Sequence, residues 1–404
     1  YSGARTAPSG ASRWPQELCL FRAADEATLA KELEALLPAL QEGSRLNLGA
    51  LAAALARRAE GRAAHPITLA LVAATPEALG KDIAAVLAHL REAKPLAPHI
   101  KLNRGTPAAQ NLAFLFPGQG AQYVGMARET ALYSEELRSA LEFADVSLQS
   151  QFPELLSRYI LPPAAFNEAA EKSQAAALTH TRVAQPAIGA VSLGFLQLAN
   201  RLGLKARATA GHSYGEYMAL HAAGVISAAD VLRLSAVRGT AMAAASRDAV
   251  PGTMAAIQGE RAQIVEAIKD CKGVRVANHN GPQQSVISGP VESVKQAVAK
   301  LETLGLRSTL LPVSGAFHTE LVAAAQTTLS AAIHGSHFSA PKIPVYSNTM
   351  GAAYPDDAGS IKATLDRHLQ SSVEFVAAIE AMYAAGMRCF VEVGPTRMCT
   401  RSDA

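Results

Sequence analysis

The stretch ATAGHSYGEYMALHAAG, residues 208 to 224, decides how the rest of the chain is read. A short apolar run ends in Gly211-His212-Ser213-Tyr214-Gly215, a G-x-S-x-G spacing, and an alanine-rich helical pattern follows. Glycines at both ends of such a turn let the backbone bend tightly enough to push a serine hydroxyl into the open at the end of a strand. A strand that feeds a helix in this way implies a parallel sheet covered by helices, with the serine at the carboxyl edge of that sheet. The spacing also fits a plain strand-to-helix turn whose serine only caps the helix, because a chain with 29 glycines produces such matches by chance.

Outward from this turn, residues 111–245 and 314–404 read as one large α/β subdomain. NLAFLF (111–116) and ARATAG (206–211) are its first strands, and the chain returns to its sheet with IPVYSN (343–348) and MRCFVEVG (387–394). Between these pieces, residues 252–313 follow a β-α-β-β-α-β order, from TMAAIQG (253–259) to STLLPV (308–313), which predicts an inserted ferredoxin-like small subdomain. Residues 1–105 read as a separate small α/β domain, with strands LCLFRA (18–23) and ITLALVAA (67–74) alternating with amphipathic helices over 26–41 and 76–92. The Pro-, Lys- and Gly-rich segment KPLAPHIKLNRGTPAAQ (94–110) reads as a linker.

Composition narrows the function. With 404 residues, 49% of them hydrophobic, the chain has material for several cores; a net charge of +3 without a Lys/Arg block offers no footprint for nucleic acid. No apolar run is long enough to span a bilayer, and no basic-then-apolar leader opens the sequence, so the expectation is no membrane partner and a cytoplasmic location. Four scattered cysteines without a CxxC pair argue against a metal site or a disulfide framework. The chain begins at Tyr1 and stops at GPTRMCTRSDA (394–404), soon after a strand pattern, and is expected to be a segment of something longer.

A serine hydroxyl attacks only when a base takes its proton, so a histidine must approach it in the fold. Among eleven histidines, His318 in PVSGAFHTELV (312–322) is best placed, where a strand leaving the small subdomain meets small residues and then a helix. By spacing alone it is equally a loop histidine. His212 adjoins Ser213, and neighbouring side chains on an elbow usually point apart. In LAFLFPGQGAQYVGM (112–126) a strand runs into Pro117-Gly118-Gln119-Gly120, whose lack of bulk lets N–H groups face a ligand. The N–H of Gln119 and that of Tyr214 would together form an oxyanion hole; without the elbow the loop is only a turn. Arg238, in RLSAVRGTAM (233–242), is a snorkelling surface residue if it points outward. If it points inward, its fork would hold a carboxylate by two parallel hydrogen bonds.

Taken together, FPGQG, GHSYGE, VRG followed by GTMAAI, NGP, GAFH and VEVGP, in this order and spacing, resemble the acyltransferase domain of type I polyketide and fatty-acid synthases, of the malonyl-CoA:acyl carrier protein transacylase kind. The resemblance covers 111 to about 400. Residues 1–105 resemble the linker domain between ketosynthase and acyltransferase. The resemblance implies an α/β-hydrolase-like large subdomain in which Ser213 is the nucleophile and His318 the base. It implies that Gln119 and Tyr214 supply the oxyanion hole and that Arg238 binds the malonyl carboxylate. The substrate would be malonyl-CoA, the acceptor the phosphopantetheine thiol of an acyl carrier protein, and the neighbour a ketosynthase, with no cofactor or metal bound by the domain itself.

The ending Gly315-Ala316-Phe317-His318 is the one that accompanies malonyl in this family, since the Phe317 ring beside the α-carbon would crowd a methyl branch. Tyr214 departs from the aliphatic residue common in malonyl members, and its combination with GAFH resembles iterative synthases. His368, in RHLQSSVEF (367–375), stands where the family has Gln or Asn; orienting His318, lining the pocket and a plain structural role all remain open. Asn280 in NHNGP is expected to hold an Asn-Gly turn. A serine hydrolase is the rival enzyme, with Asp230 or Glu302 as its acid, and an inactive docking module is the rival from another class.

Overall fold

The computed structural model describes residues 15–105, 111–248, 251–311, 315, 317–319, 323–396 and 399, the side chains of 246–248 excepted. The chain divides into two compact units, Tyr1–Ala109 and Gln110–Ala404.

In the first unit, β1 (Glu17–Ala23), β2 (Ile67–Ala73) and β3 (Lys101–Arg104) form an antiparallel sheet in that order. Alternate residues Cys19, Phe21, Leu69 and Leu71 face Leu29, Leu33, Ile83 and Val86 of the covering helices. Each helix start has its cap: Asp25 accepts the Thr28 N–H, Asn47 the Ala50 N–H and Thr75 the Ala78 N–H. Part of the segment read as a linker is strand. Lys101–Arg104 pairs with β2 from Ile67↔Arg104 to Ala70↔Lys101, because the outer edge of β2 presents backbone groups that an adjacent extended segment satisfies.

The second unit begins with β4 (Leu112–Phe116) and β5 (Ala208–Gly211). It continues through β6 (Gly252–Gln258), β7 (Arg275–Gly281), β8 (Gln284–Pro290) and β9 (Ser308–Leu310), and ends with β10 (Val345–Ser347), β11 (Ala352–Ala353), β12 (Val373–Glu374) and β13 (Cys389–Glu392). One sheet has the order β11-β10-β5-β4-β13, its four strands from β10 to β13 parallel and β11 antiparallel at the edge. Strand β4 is apolar along its whole length because it is buried on both faces: Phe114 and Phe116 enter the main core, Ala113 and Leu115 a second cluster with Tyr346 and Phe375. The other sheet has the order β12-β7-β8-β6-β9.

Helices Thr181–Arg201 and Ala228–Asp248 pack tightly in the main core. A Cβ on Gly239 would lie 2.6 Å from the Thr181 carbonyl oxygen, so only glycine permits this crossing. The Asn-Gly pair read as a turn lies inside β7, and the chain reverses at Pro282–Gln283. The reason is that Asn280 is claimed by a tertiary contact, described below, which outweighs its local turn preference.

Candidate active site

Strand β5 ends at Gly211 and the helix Gly215–Ala222 begins two residues after Ser213. The left-handed residue of this elbow is Ser213 itself, at φ 48°, whereas the flanking glycines serve close approach. A Cβ on Gly211 would lie 2.0 Å from the Gly215 carbonyl carbon, one on Gly215 2.0 Å from the Phe116 carbonyl oxygen, and one on Gly118 2.4 Å from the His212 carbonyl oxygen. Elbow and Pro117–Gly120 loop therefore touch backbone to backbone. The Gln119 carboxamide is held from below: its Nε2 donates to Thr181 Oγ1 at 3.2 Å, and Gln185 Nε2 donates to its Oε1 at 3.2 Å.

A non-glycine residue in the left-handed region costs about 1–2 kcal/mol. Asn348, immediately after β10, opposes that cost. Its Oδ1 accepts the Ser213 N–H at 2.9 Å, its Nδ2 donates to the Gly211 carbonyl, and its own N–H donates to Glu216 at 2.7 Å. At about 1 kcal/mol each, these bonds suffice to hold the turn.

His318, also left-handed at φ 58°, brings Nε2 to 2.8 Å from Ser213 Oγ. Its Nδ1 lies 2.9 Å from the Ser371 carbonyl oxygen. A carbonyl only accepts, so Nδ1 carries the proton and Nε2 is the free base facing the hydroxyl. Burial, then the positive charge of Arg238, then His212, push the His318 pKa down to about 3, so the ring is neutral at ordinary pH. Among the described residues the group behind it is the Ser371 carbonyl and not a carboxylate. Asp230 is tied to Ser227 and Arg233 at a helix start, and Glu302 is exposed on its helix, so neither candidate acid of a hydrolase triad is in the position that the Ser371 carbonyl fills.

Arg238 points inward, and only 1% of it is exposed. Its guanidinium sits 6.0 Å from the Tyr217 ring centroid, while Nε and Nη2 have no hydrogen-bond partner among the described residues. Burial lowers its pKa, opposed by the nearby Tyr217, Tyr214 and Glu216. A buried guanidinium with Nε and Nη2 open on one side has the donor geometry that matches a carboxylate.

His368 lies edge-on to His318 with ring centroids 5.7 Å apart, and neither of its ring nitrogens has a hydrogen-bond partner among the described residues. Its side chain thus does not orient His318 by a hydrogen bond; the Ser371 carbonyl does. Burial and the charge of Arg238 keep His368 well below the usual histidine range. Its Nε2 is 3.6 Å from Glu216, which at that distance and with a neutral ring is a contact rather than an ion pair. Burial raises Glu216 to about 7, against the Tyr354 hydroxyl and the Asn348 N–H that donate to it.

His212 is committed elsewhere: its Nε2 meets Asn280 Oδ1 at 2.7 Å and its ring stands edge-on to Phe375, tying the elbow to β7. The Tyr214 side chain is fully buried. Its hydroxyl bonds Ser235 at 2.6 Å and leaves no room for a Cβ on Gly189, which would come within 2.3 Å of it. Phe317 is 9% exposed and joins the main core, and Gly315 is buried; residues 312–314 and Ala316 lie outside the described residues.

Asn348, Ser371, Thr181 and Gln185 were not legible as site residues from spacing. The one signal for Asn348 is its place at the carboxyl end of a strand apolar enough to lie in the same sheet as the serine, where sites of parallel sheets gather. All four cysteines are free. Among the described residues no His/Cys/Asp/Glu group is arranged to hold a metal, and no helix is long and apolar enough to cross a membrane.

The family model for the acyl transferase domain matches residues 113–402. The malonyl CoA-acyl carrier protein transacylase of Bacillus subtilis is 34% identical over 296 residues, covering 71% of this chain and 87% of the relative. The spectinabilin polyketide synthase system protein NorB of Streptomyces orinoci is 33% identical over 306 residues, 74% of this chain. The chain spans only 13% of that synthase's length. Among solved structures, the acyltransferase domain from module 8 of the salinomycin polyketide synthase superposes with a TM-score of 0.81 at 25% identity, covering 96% of this chain and 87% of that one.

Proposed function

The chain belongs to the acyl transferase domain family, and from that premise we propose that it moves a malonyl unit from malonyl-CoA to the phosphopantetheine thiol of an acyl carrier protein in polyketide assembly. Ser213 Oγ attacks the thioester carbonyl as its proton passes to His318 Nε2. The N–H groups of Gln119 and Tyr214 hold the oxyanion, and collapse of the tetrahedral intermediate expels CoA, whose sulfur takes the proton back from His318. The carrier's thiol then gives its proton to His318, attacks the seryl ester and leaves with the malonyl group, and Ser213 recovers its proton. Arg238 binds the malonyl carboxylate, Phe317 limits the bulk carried on the α-carbon beside Gly315, and His368 lines the floor next to the carboxylate. His212 acts as a brace for the elbow through Asn280. The first unit, which resembles a linker domain, would dock the neighbouring ketosynthase.

The observation that carries this reading is the buried guanidinium of Arg238, whose Nε and Nη2 have no hydrogen-bond partner among the described residues and whose charge depresses His318 of the Ser213–His318 pair. An ester hydrolase has no use for it, and a carbonyl rather than a carboxylate behind His318, among the described residues, weighs further against that rival. Intact-protein mass spectrometry after brief incubation with malonyl-, methylmalonyl- and acetyl-CoA tests the proposal. A malonyl adduct that forms on wild type, persists for minutes and is missing in Ser213→Ala supports it. Release of free CoA with no adduct from any of the three refutes it.

A further inference from the structure

The elbow has a brace on its buried side that acts on the nucleophile itself. Asn348 is wholly buried, and its carboxamide is used at both ends: the oxygen takes the Ser213 N–H at 2.9 Å and the nitrogen gives to the Gly211 carbonyl. These two partners flank His212, so one side chain bridges the chain just before the left-handed residue and at it. The backbone N–H of Asn348 goes to Glu216 at 2.7 Å, one helical turn beyond Ser213, and Glu216 also takes the Tyr354 hydroxyl. Strand β10, which leads into Asn348, pairs with β5, which leads into the elbow, at Val345↔Thr209 and Tyr346↔Ala210. Brace and nucleophile are therefore carried by adjacent parallel strands.

We infer that Asn348 is a positioning residue for catalysis, which fixes the left-handed conformation of Ser213 and, by taking up the N–H of the nucleophile, makes the Tyr214 N–H the elbow's donor to the oxyanion. In chymotrypsin-type proteases the nucleophile's own N–H contributes to the oxyanion hole, whereas a G-x-S-x-G elbow uses the N–H of the next residue. Here the Ser213 N–H points into the protein and is already bonded. If the Asn348 oxygen is removed, the Ser213 N–H turns to find another acceptor, the His212–Ser213 peptide that carries it rotates, the Ser213 φ changes with it, and Oγ and the Tyr214 donor both leave their places. An ångström-scale misplacement of a reacting group is worth about 100-fold in rate. The cost falls on the chemical step for every acyl group alike, because the brace contacts the elbow and not the acyl chain.

This inference rests on Ser213 being the nucleophile, as proposed above, so the experiment measures both. Single-turnover loading of wild type, Ser213→Ala, Asn348→Ala and Asn348→Asp is followed with malonyl-CoA and with acetyl-CoA, alongside thermal unfolding of each protein. Loss of loading in Ser213→Ala alone would sustain the function and overturn the brace. Loading that persists in Ser213→Ala would overturn the function whatever Asn348 does. The expected result for Asn348→Ala is a loading rate about 100-fold lower for both substrates, with the concentration for half-maximal rate changed less than about threefold. Asn348→Asp keeps an acceptor for the Ser213 N–H but loses the donor to Gly211, and is expected about tenfold below wild type. If Asn348→Ala fails to fold, Asn348→Asp decides: a loading rate equal to wild type overturns the inference. So does a defect confined to half-saturation, or one confined to malonyl-CoA.

Discussion

On the β5 side of the site, the Ser213 N–H, the Gly211 carbonyl and the His212 Nε2 are each taken by a side chain, while His212 Nδ1 has no partner among the described residues. On the side of helix Ala228–Asp248, Arg238 keeps two nitrogens and His368 both ring nitrogens without a hydrogen-bond partner among the described residues. Both regions are buried, so the difference is not one of solvent. A buried polar group left unpaired costs about 1–3 kcal/mol, and more when charged. The elbow spends its hydrogen bonds on geometry that every acyl group needs. The arginine side holds its bonding capacity open, which fits the carboxylate-bearing acyl group proposed above.

Five measurements would break or sharpen this contrast. The largest effect is expected from Ser213→Ala, which should lower acyl loading by about 10⁶-fold, to the background without a nucleophile, as read by adduct formation in intact-protein mass spectrometry. Next comes Arg238→Ala. Malonyl loading should fall about 100- to 1000-fold, as expected when a buried charge loses its partner, while acetyl loading stays within about threefold. Because the same substitution removes an uncompensated buried charge, the free protein should melt higher than wild type. A lower melting temperature together with undiminished malonyl loading would remove the contrast altogether.

On the elbow side, Gly215→Ala should slow loading of malonyl and acetyl alike by about 100-fold, because its Cβ meets the Phe116 carbonyl at 2.0 Å and must push the oxyanion loop away. An effect on malonyl alone would show that the two regions are not separate in function. Phe317→Ser should raise the ratio of methylmalonyl to malonyl loading by about tenfold, the worth of one methyl in an apolar pocket. Competition between the two CoA esters reads that ratio directly.

The smallest effect concerns pH. His212, His221, His279, His318 and His368 are all held below their ordinary pKa, chiefly by burial, so as pH falls below about 6.5 the unfolded chain takes up protons that the folded one refuses. A group whose folded pKa lies below the whole range, as for His318 at about 3, removes up to about 1.4 kcal/mol of stability per pH unit. Glu216, raised to about 7, works in the opposite sense, since between about 7 and 4.5 the folded state binds the extra proton. Five histidines against this one carboxyl predict a net loss of stability on acidification from pH 6.5 to 4.5, measured by thermal unfolding. His368→Gln should shallow that loss without altering the loading rate at pH 7 by more than about threefold, if the floor is as independent of the elbow as its hydrogen bonds suggest.

Much of this site was legible in the sequence because its parts are local. Ser213 and the glycines around it, the glycine-rich loop after β4 and the pairing of apolar strands with helical stretches are all set within a few residues of one another. The parallel sheet follows from β4 being apolar on both faces and the small residues of β5 being buried on both. The small strand β3 was not legible, because KLNR has no strand pattern of its own and is extended only because β2 offers it an edge. Asn280 shows the same limit from the other side: its local preference is a turn, and a contact with His212 keeps it in a strand.

What the sequence by itself determined is therefore the candidate nucleophile's turn, the loop beside it and the alternation of elements that builds a parallel sheet, since these depend on backbone sterics and short-range periodicity. Which way Arg238 points, which group stands behind His318, and which side chain holds Ser213 in its left-handed conformation were decided only by the tertiary structure. Residues 238, 318, 348 and 371 meet the elbow from far along the chain, through burial and through hydrogen bonds whose partners no local pattern encodes.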